Sequence, residues 1–325
     1  MSMTAEEPTT MGRIGRLMVD NPLIPLVILL FALIGVLAIL NPAILSAFWV
    51  SNTLKIAIPL AMLAACQTLT MLTGGIDLSA GTVATITAFV SATLAPIIGV
   101  PAAIAIALSC AVLVGLLNGF GVAIARVHPL IMTLGTALIV NGCLLVYQRF
   151  VIATGVQIPE VLVWLGTGRS FGLPNSLFVF VPFAVLIIWA QRRTGFGRLL
   201  YAIGSNEAAA RLSGVRVWQV QFLLYALSSV IAGLTGLLYL GQIKTASLSL
   251  AIPLDLPSVA AAVIGGTSIF GGRGGYGGTI IGALILTVLT TMLTLMQIPE
   301  GGRRIMFGLI ILLVTALYIR LTDRN

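Results

Sequence analysis

The sequence predicts an all-α polytopic membrane protein of about ten transmembrane helices, with both termini cytoplasmic. Three observations carry that prediction. Of the 325 residues 59% are apolar and only 8% charged, whereas a soluble domain carries about 25% charged residues; these charges cannot cover a water-facing surface. The mean hydropathy is +1.13, the opposite of the low hydrophobicity that disorder requires, despite 35 glycines and 14 prolines. Apolar runs of roughly 20 residues, enough for a helix to cross a bilayer core, recur along the chain.

The elements follow in order. A tail over 1–21 precedes a transmembrane unit over 22–321, and 322–325 form a short second tail. Within the unit, spans are expected near 22–40, 54–73, 79–98, 101–125, 129–150, 177–191, 218–241, 256–271, 276–298 and 303–321. The first run follows Arg13 and Arg16 as a secretion signal would. It is long for a signal core, and many more such runs follow, so it reads as an uncleaved first span. The run at 256–271 is short and glycine-rich and reads as broken or tilted. Two connections are long enough to hold structure of their own, 151–176 and 192–217.

Basic residues near helix ends set the orientation. With the N-terminus inside, Lys55, Arg149, Arg169, Lys244, Arg303 and Arg304 fall outside, and the other 11 of the 17 basic residues fall inside. Loop 151–176 then faces the periplasm, as a lid or as the surface that receives a binding protein, and loop 192–217 faces the cytoplasm. Arg303 and Arg304 strain this arrangement. The net charge of +8 is that of arginine-rich cytoplasmic loops and does not call for a nucleic-acid partner. Cys66, Cys110 and Cys143 sit inside apolar runs with no metal-ligand spacing and read as small buried hydrophobes.

Motifs that resemble catalytic ones fail on context. Gly272-Arg273-Gly274-Gly275-Tyr276-Gly277 fits the dinucleotide pattern G-x-G-x-x-G, but it lies between two apolar runs with no acid before Glu300. It reads as a glycine-rich turn between closely packed helices. The only lysines, Lys55 and Lys244, follow no phosphate-loop spacing, and the single histidine, His128, leaves no metal site or catalytic triad. No catalysis, cofactor or metal is expected on this chain. Energy for uphill transport must come from an ion gradient or from another polypeptide.

The segment from Gln191 to Val217 carries the most information. Ser205 or Asn206 can cap a helix start, and Glu207 suits the positive end of the dipole. Ala208, Ala209 and Ala210 favour the helix, Arg211 suits its last turn, and Gly214 can end it. The expected product is a two-turn helix held outside the membrane by a short tether at each end. A helix that short is unstable alone in water, so it must dock, either on its own bundle or on a cytoplasmic partner.

The run from Phe196 to Gly214 resembles the cytoplasmic loop of the ribose-type permeases of bacterial ABC importers. Leu72-Thr73-Gly74-Gly75-Ile76-Asp77-Leu78-Ser79, Gly115-Leu116-Leu117-Asn118-Gly119 and the stretch from Gly265 to Gly274 agree in the same order, over roughly 66–318. The resemblance implies an inner-membrane permease working as a homodimer or beside a homologous permease. A cytoplasmic ATP-binding subunit, often two fused domains, would bind ATP and Mg below, and a periplasmic binding protein would deliver solute above. The helix at 206–213 would be the coupling helix gripped by the ATPase. Ser229 and Gly275 depart from the family, which often has glycine and serine there.

Asp77 is the acid that lies deepest in the membrane, apart from Asp255 near the outer side. An intramembrane carboxylate is functional by default, yet Asp77 can also cap the span that begins at Ser79. Gln67, Asn118, Thr133, Asn141 and Gln148 are candidates to line a path or to bind helices together. Thr287, Thr290, Thr291 and Thr294 form a polar stripe. Gly115 with Gly119 and Gly278 with Gly282 read as close-packing pairs within the bundle, or as a dimer seam. Spans nearly free of charge fit a neutral solute such as a monosaccharide or polyol. The rivals are a permease for branched-chain amino acids, nucleosides or a furanosyl signalling molecule, and an ion-coupled secondary carrier.

Overall fold

The computed structural model describes residues 23–40, 42, 46–151, 155–299, 301–306, 308–309 and 312. The tails over 1–21 and 322–325, and most of the expected span 303–321, lie outside the described residues.

The helices stop where the local chemistry stops them. α1 (Leu23–Leu40) is apolar on every face. α2 (Ala47–Met71) opens with Ser46, whose Oγ accepts the amide of Trp49 at 3.3 Å. α3 (Ala80–Ile98) and α4 (Val100–Ala123) are separated by Gly99 alone, at φ +82°, with Pro101 in the first turn of α4. α5 (Pro129–Val151) begins on a proline, whose missing N–H costs nothing at a helix start. α6 (Glu160–Thr167) leads into a two-residue hairpin, β1 (Arg169–Ser170) antiparallel to β2 (Leu173–Pro174). α7 (Leu177–Arg193) ends in Arg192 and Arg193 and turns by 64° into α8 (Gly195–Ser205). α9 (Glu207–Leu212) follows, then α10 (Val217–Ile243), closed by Lys244 at φ 58°. α11 (Asp255–Ile264) and α12 (Tyr276–Leu295) follow, and residues 301–306 are helical as well.

Seven of these helices are long and apolar enough to cross a membrane, or eight if the bent α7–α8 pair is one span. The stretch expected as a span at 256–271 is corrected here. Its helix, α11, has only 10 residues, about half a bilayer core. Gly266 at φ +88° and Gly271 and Gly272 at positive φ turn the backbone out of the helix. Before α11 the chain runs without α-helix back along α3: Ala251 donates its amide to Thr85 Oγ1 at 3.0 Å, and Gly81 donates its amide to Asp255 Oδ1 at 2.6 Å. The span is therefore a non-helical limb joined to a half-helix. Such backbone is tolerated at membrane depth only where protein buries it or water reaches it.

α2 is the axis of the bundle. Most of its apolar window, 83%, is buried, whereas α1 on the periphery buries 6%. Leu60, Ala61 and Ala64 of α2 pack with Ala260 and Ala261 of α11 and with Ala283 and Leu286 of α12. Alanine and glycine let these backbones approach closely. An added Cβ would stand 2.0 Å from Gly265 O at Gly278 and 2.2 Å from Ala261 O at Gly282, so this pair seats α12 on α11. At Gly115 and Gly119 it would strike the Tyr225 and Phe222 carbonyls, both at 2.8 Å, so that pair seats α4 on α10. All four glycines face their own bundle.

Candidate functional site

On the side where the arginine count puts the cytoplasm, three glycine-bearing segments meet. Gly272 donates its amide to Leu72 O at 3.0 Å. Between these loops sits Gly204 near the end of α8, where an added Cβ would fall 1.8 Å from Leu72 O and 2.5 Å from Gly272 N. No other residue type fits there. The α2–α3 loop, the end of α8 and the α11–α12 loop thus form one seam, and Tyr201 of α8 ties it further by donating its hydroxyl to Gly274 O at 2.8 Å.

α9 stands directly on this seam. Asn206 caps it, its Oδ1 accepting the amide of Ala209 at 2.9 Å. Arg211 Nε donates to Glu207 Oε1 at 3.0 Å across one turn. Gly214 at φ +84° closes it, with Val215 donating back to Ala210 O at 3.1 Å. Of the six helical residues only Ala210 is buried; Ser205, Asn206, Glu207, Ala208, Ala209, Arg211, Leu212 and Gly214 are exposed. The tether on its N-terminal side is not the short link expected from the sequence. It is the 11-residue α8, amphipathic because Gly197, Leu200 and Ile203 recur on its buried face.

Deeper in the bundle, four of the polar residues singled out in the sequence converge. After α2 the chain doubles back through Gly74 and Gly75, so that Asp77 lies beside Gln67, one turn before the helix end. Gln67 Nε2 donates to Asp77 O at 2.8 Å and Gln67 Oε1 accepts the Asp77 amide at 3.3 Å. Asp77 Oδ1 accepts the amide and the hydroxyl of Ser79 at 3.0 and 2.6 Å, and Oδ2 accepts the Ser228 hydroxyl at 2.7 Å. Asn118 Nδ2 donates to Ser79 Oγ at 2.8 Å, and Thr133 Oγ1 accepts the Leu78 amide at 3.1 Å. Gln67, Asp77, Ser79, Asn118, Thr133 and Ser228 are all fully buried. The arrangement locks five segments together and presents no face to a passing solute. Asn141 and Gln148 do not join it; they lie half-buried along α5.

A second polar surface is open. A groove of about 550 Å³ runs between α2 and α12, with Asn52, Thr287, Thr290, Thr291 and Arg303 set among apolar residues such as Leu60 and Leu286. Each threonine hydroxyl donates to the carbonyl four residues back, at 2.8, 2.7 and 2.9 Å for Thr287, Thr290 and Thr291. The lone pairs of these oxygens stay available to accept from a ligand. The volume lies in the range of small-ligand pockets, about 300–1,000 Å³.

Comparison with known proteins places this architecture. The family described as "branched-chain amino acid transport system / permease component" matches residues 49–315, from the first turn of α2 onward. The chain belongs to that permease family. Among similar proteins, the ribose import permease protein of Escherichia coli K12 is 34% identical over 290 residues, 88% of this chain and 90% of that one. The ribose import permease protein of Bacillus subtilis is 34% identical over 293 residues, 89% and 90% of the two chains. The fructose import permease protein of Rhizobium meliloti is 31% identical, with 97% and 90% covered. No solved structure matches the chain. The permease is a multi-pass protein of the inner membrane, all-α but for the small hairpin among its described residues.

Three features of the permease escape sequence reading. Asp255, expected near the outer side, reaches across to the start of α3, and no local pattern announces a partner 174 positions away. Ser228 completes the Asp77 site from α10. Leu212, an apolar residue at the end of α9, stands 91% exposed, and nothing in its local sequence announces that.

Proposed function

We propose that the permease is the translocating subunit of an ATP-binding-cassette importer that carries a monosaccharide or similar polyol across the inner membrane. One observation carries the reading: α9 is a capped, almost wholly exposed helix seated on a seam of the bundle. A six-residue helix with one buried side chain buries too little apolar surface to exist for its own sake, and its exposed Ala208, Ala209 and Leu212 suit a groove on a cytoplasmic ATPase that binds ATP and Mg. The names of the similar permeases, for ribose and for fructose, support a sugar.

In this reading the ATPase moves α9, and Gly204 passes that movement to the loop after α2 and the loop before α12. The two segments bracket α2, α11 and α12, which form the walls of the threonine groove. Alternate exposure of the groove to the two sides of the membrane then follows. A second permease copy, or a homologous permease, would close its open side, and a periplasmic binding protein would deliver solute on the side of α6 and the hairpin. The groove's threonine acceptors fit the hydroxyl donors of a sugar, and the charged residue that borders it, Arg303, already donates to Thr294.

Uptake by cells expressing the gene cluster tests the reading. Labelled ribose or fructose should accumulate, uptake should vanish on deletion of this gene, and unlabelled sugar but not leucine should compete. Competition by leucine with none by sugars would overturn it.

A further inference from the structure

A cavity of about 540 Å³ lies between the end of α7 and the start of α12 and plays no part in the reading above. Its polar lining is one-signed. Arg192 and Arg273 border it, both exposed, and no acidic residue does. The backbone from Gly274 to Gly278 forms one wall, which is the N-terminus of the 20-residue α12 and hence the positive end of its dipole. Beside it Gln191 is 4% exposed. Its Oε1 accepts the amide of Tyr276 at 2.9 Å, which turns Nε2 away as a donor, and that buried Nε2 has no partner. That nitrogen is closed off from the cavity, so the attraction for an anion comes from the two arginines and the helix-start backbone. Tyr201 braces the same wall through Gly274 O.

The rest of the lining says what carries the anion. Leu23 and Ile188 border the cavity. Leu23 is the first residue of α1, the most outward-facing helix of the bundle, so the cavity opens beside a lipid-facing surface. It also lies where α7 changes from apolar residues to Arg192 and Arg193, the level at which headgroups sit. An apolar shoulder beside a basic pocket suits an amphiphile better than a free ion.

We propose that this cavity binds the phosphate headgroup of an anionic phospholipid, with its acyl chains lying along α1 and α7. The leaflet, the cytoplasmic one, rests on the arginine-based orientation; the binding chemistry does not. A lipid there would join α7, α12 and the α8 seam, making the base of α9 sensitive to the surrounding bilayer.

The test uses the full chain, purified and delipidated in detergent, with its thermal unfolding midpoint followed while a probe is added. Dioleoylphosphatidylglycerol should raise the midpoint saturably by about 5 °C, while dioleoylphosphatidylcholine and inorganic phosphate should not. The double variant Arg192→Gln, Arg273→Gln should lose most of that rise. The charge-matched variant Arg198→Gln, Arg216→Gln, outside the cavity, should keep it. If the double variant does not purify, the two single variants make the same comparison. An equal rise with inorganic phosphate would reassign the site to a free anion and overturn the lipid. An undiminished rise in the double variant, or none in the unaltered chain, would overturn the site itself. All of these outcomes are independent of whether sugar is transported.

Discussion

Helix α3 begins inside the bundle with its first amides met from two directions: Asp77 Oδ1 takes the amide of Ser79, and Asp255 Oδ1 takes that of Gly81. The two acids therefore tie the α2–α3 loop and the half-helix α11 to one helix start. Glycine at position 81 is required by this contact, since a Cβ would stand 2.5 Å from the Asp255 carboxylate. Asp77 is fully buried, with Ser79 bonded to Oδ1 and Ser228 to Oδ2, and so offers no open face to a solute. Asp77→Asn keeps the acceptor for Ser79, and the Ser228 hydroxyl can turn to accept from the new amide. That variant should retain most uptake and unfold within a few degrees of the original. Asp77→Ala strands two buried hydroxyls and should lose about 2–5 kcal/mol, read as a large drop in unfolding midpoint. Loss of uptake in a normally stable Asp77→Asn protein would instead give the carboxylate a direct part in transport. The Asx-type cap at Asp77 was legible from its place two residues before a helix start. Asp255 was not, because a cap supplied by a residue so distant in sequence leaves no local spacing to read.

At the scale of elements, α9 and its seat make two separable predictions. Glu207 and Arg211 form an exposed ion pair, a class that contributes about 0–1 kcal/mol. Glu207→Arg should leave the unfolding midpoint within about 2 °C of the original while abolishing sugar-stimulated ATP hydrolysis by the assembled complex. Full stimulation would remove α9 from the coupling path. Gly204→Ala acts beneath the lever. Its Cβ has no room against Leu72 O and Gly272 N, and the displaced α8 should cost about 1–3 kcal/mol, together with weakened coupling. Most of α9 was legible in advance, because an Asn cap, an acid in the first turn, an alanine run and a terminal glycine each state their role locally. α8 was missed as a helix: it directly follows the basic end of α7, and the break between them is Thr194, whose Oγ1 accepts the amide of Gly197 at 3.2 Å. The run at 256–271 misled for the opposite reason. Its composition is apolar enough for a span, but Gly265 and Gly266 end the helix after 10 residues, and composition carries no information about where a backbone turns.

The whole molecule is a helical bundle in which one glycine seam lies between α9 and the helices that wall the groove. Thr290→Phe should fill the groove between α2 and α12, stopping uptake while leaving basal ATP hydrolysis by the complex; unchanged uptake would place the path elsewhere. Orientation is checked by single cysteines at Ser205 or Val215, in a chain whose own three cysteines are replaced by alanine. An impermeant thiol reagent should reach them only from the cytoplasmic side, and periplasmic labelling would invert the topology. The central claim, that the work enters through α9 from a nucleotide-consuming partner, is tested most directly by reconstitution. The permease is placed in liposomes with and without its ATPase and binding protein, and sugar accumulation is measured under ATP or under an imposed sodium or proton gradient. Accumulation should require the partners and ATP together and should be absent with either gradient alone. Accumulation by the permease alone on an ion gradient would contradict the account.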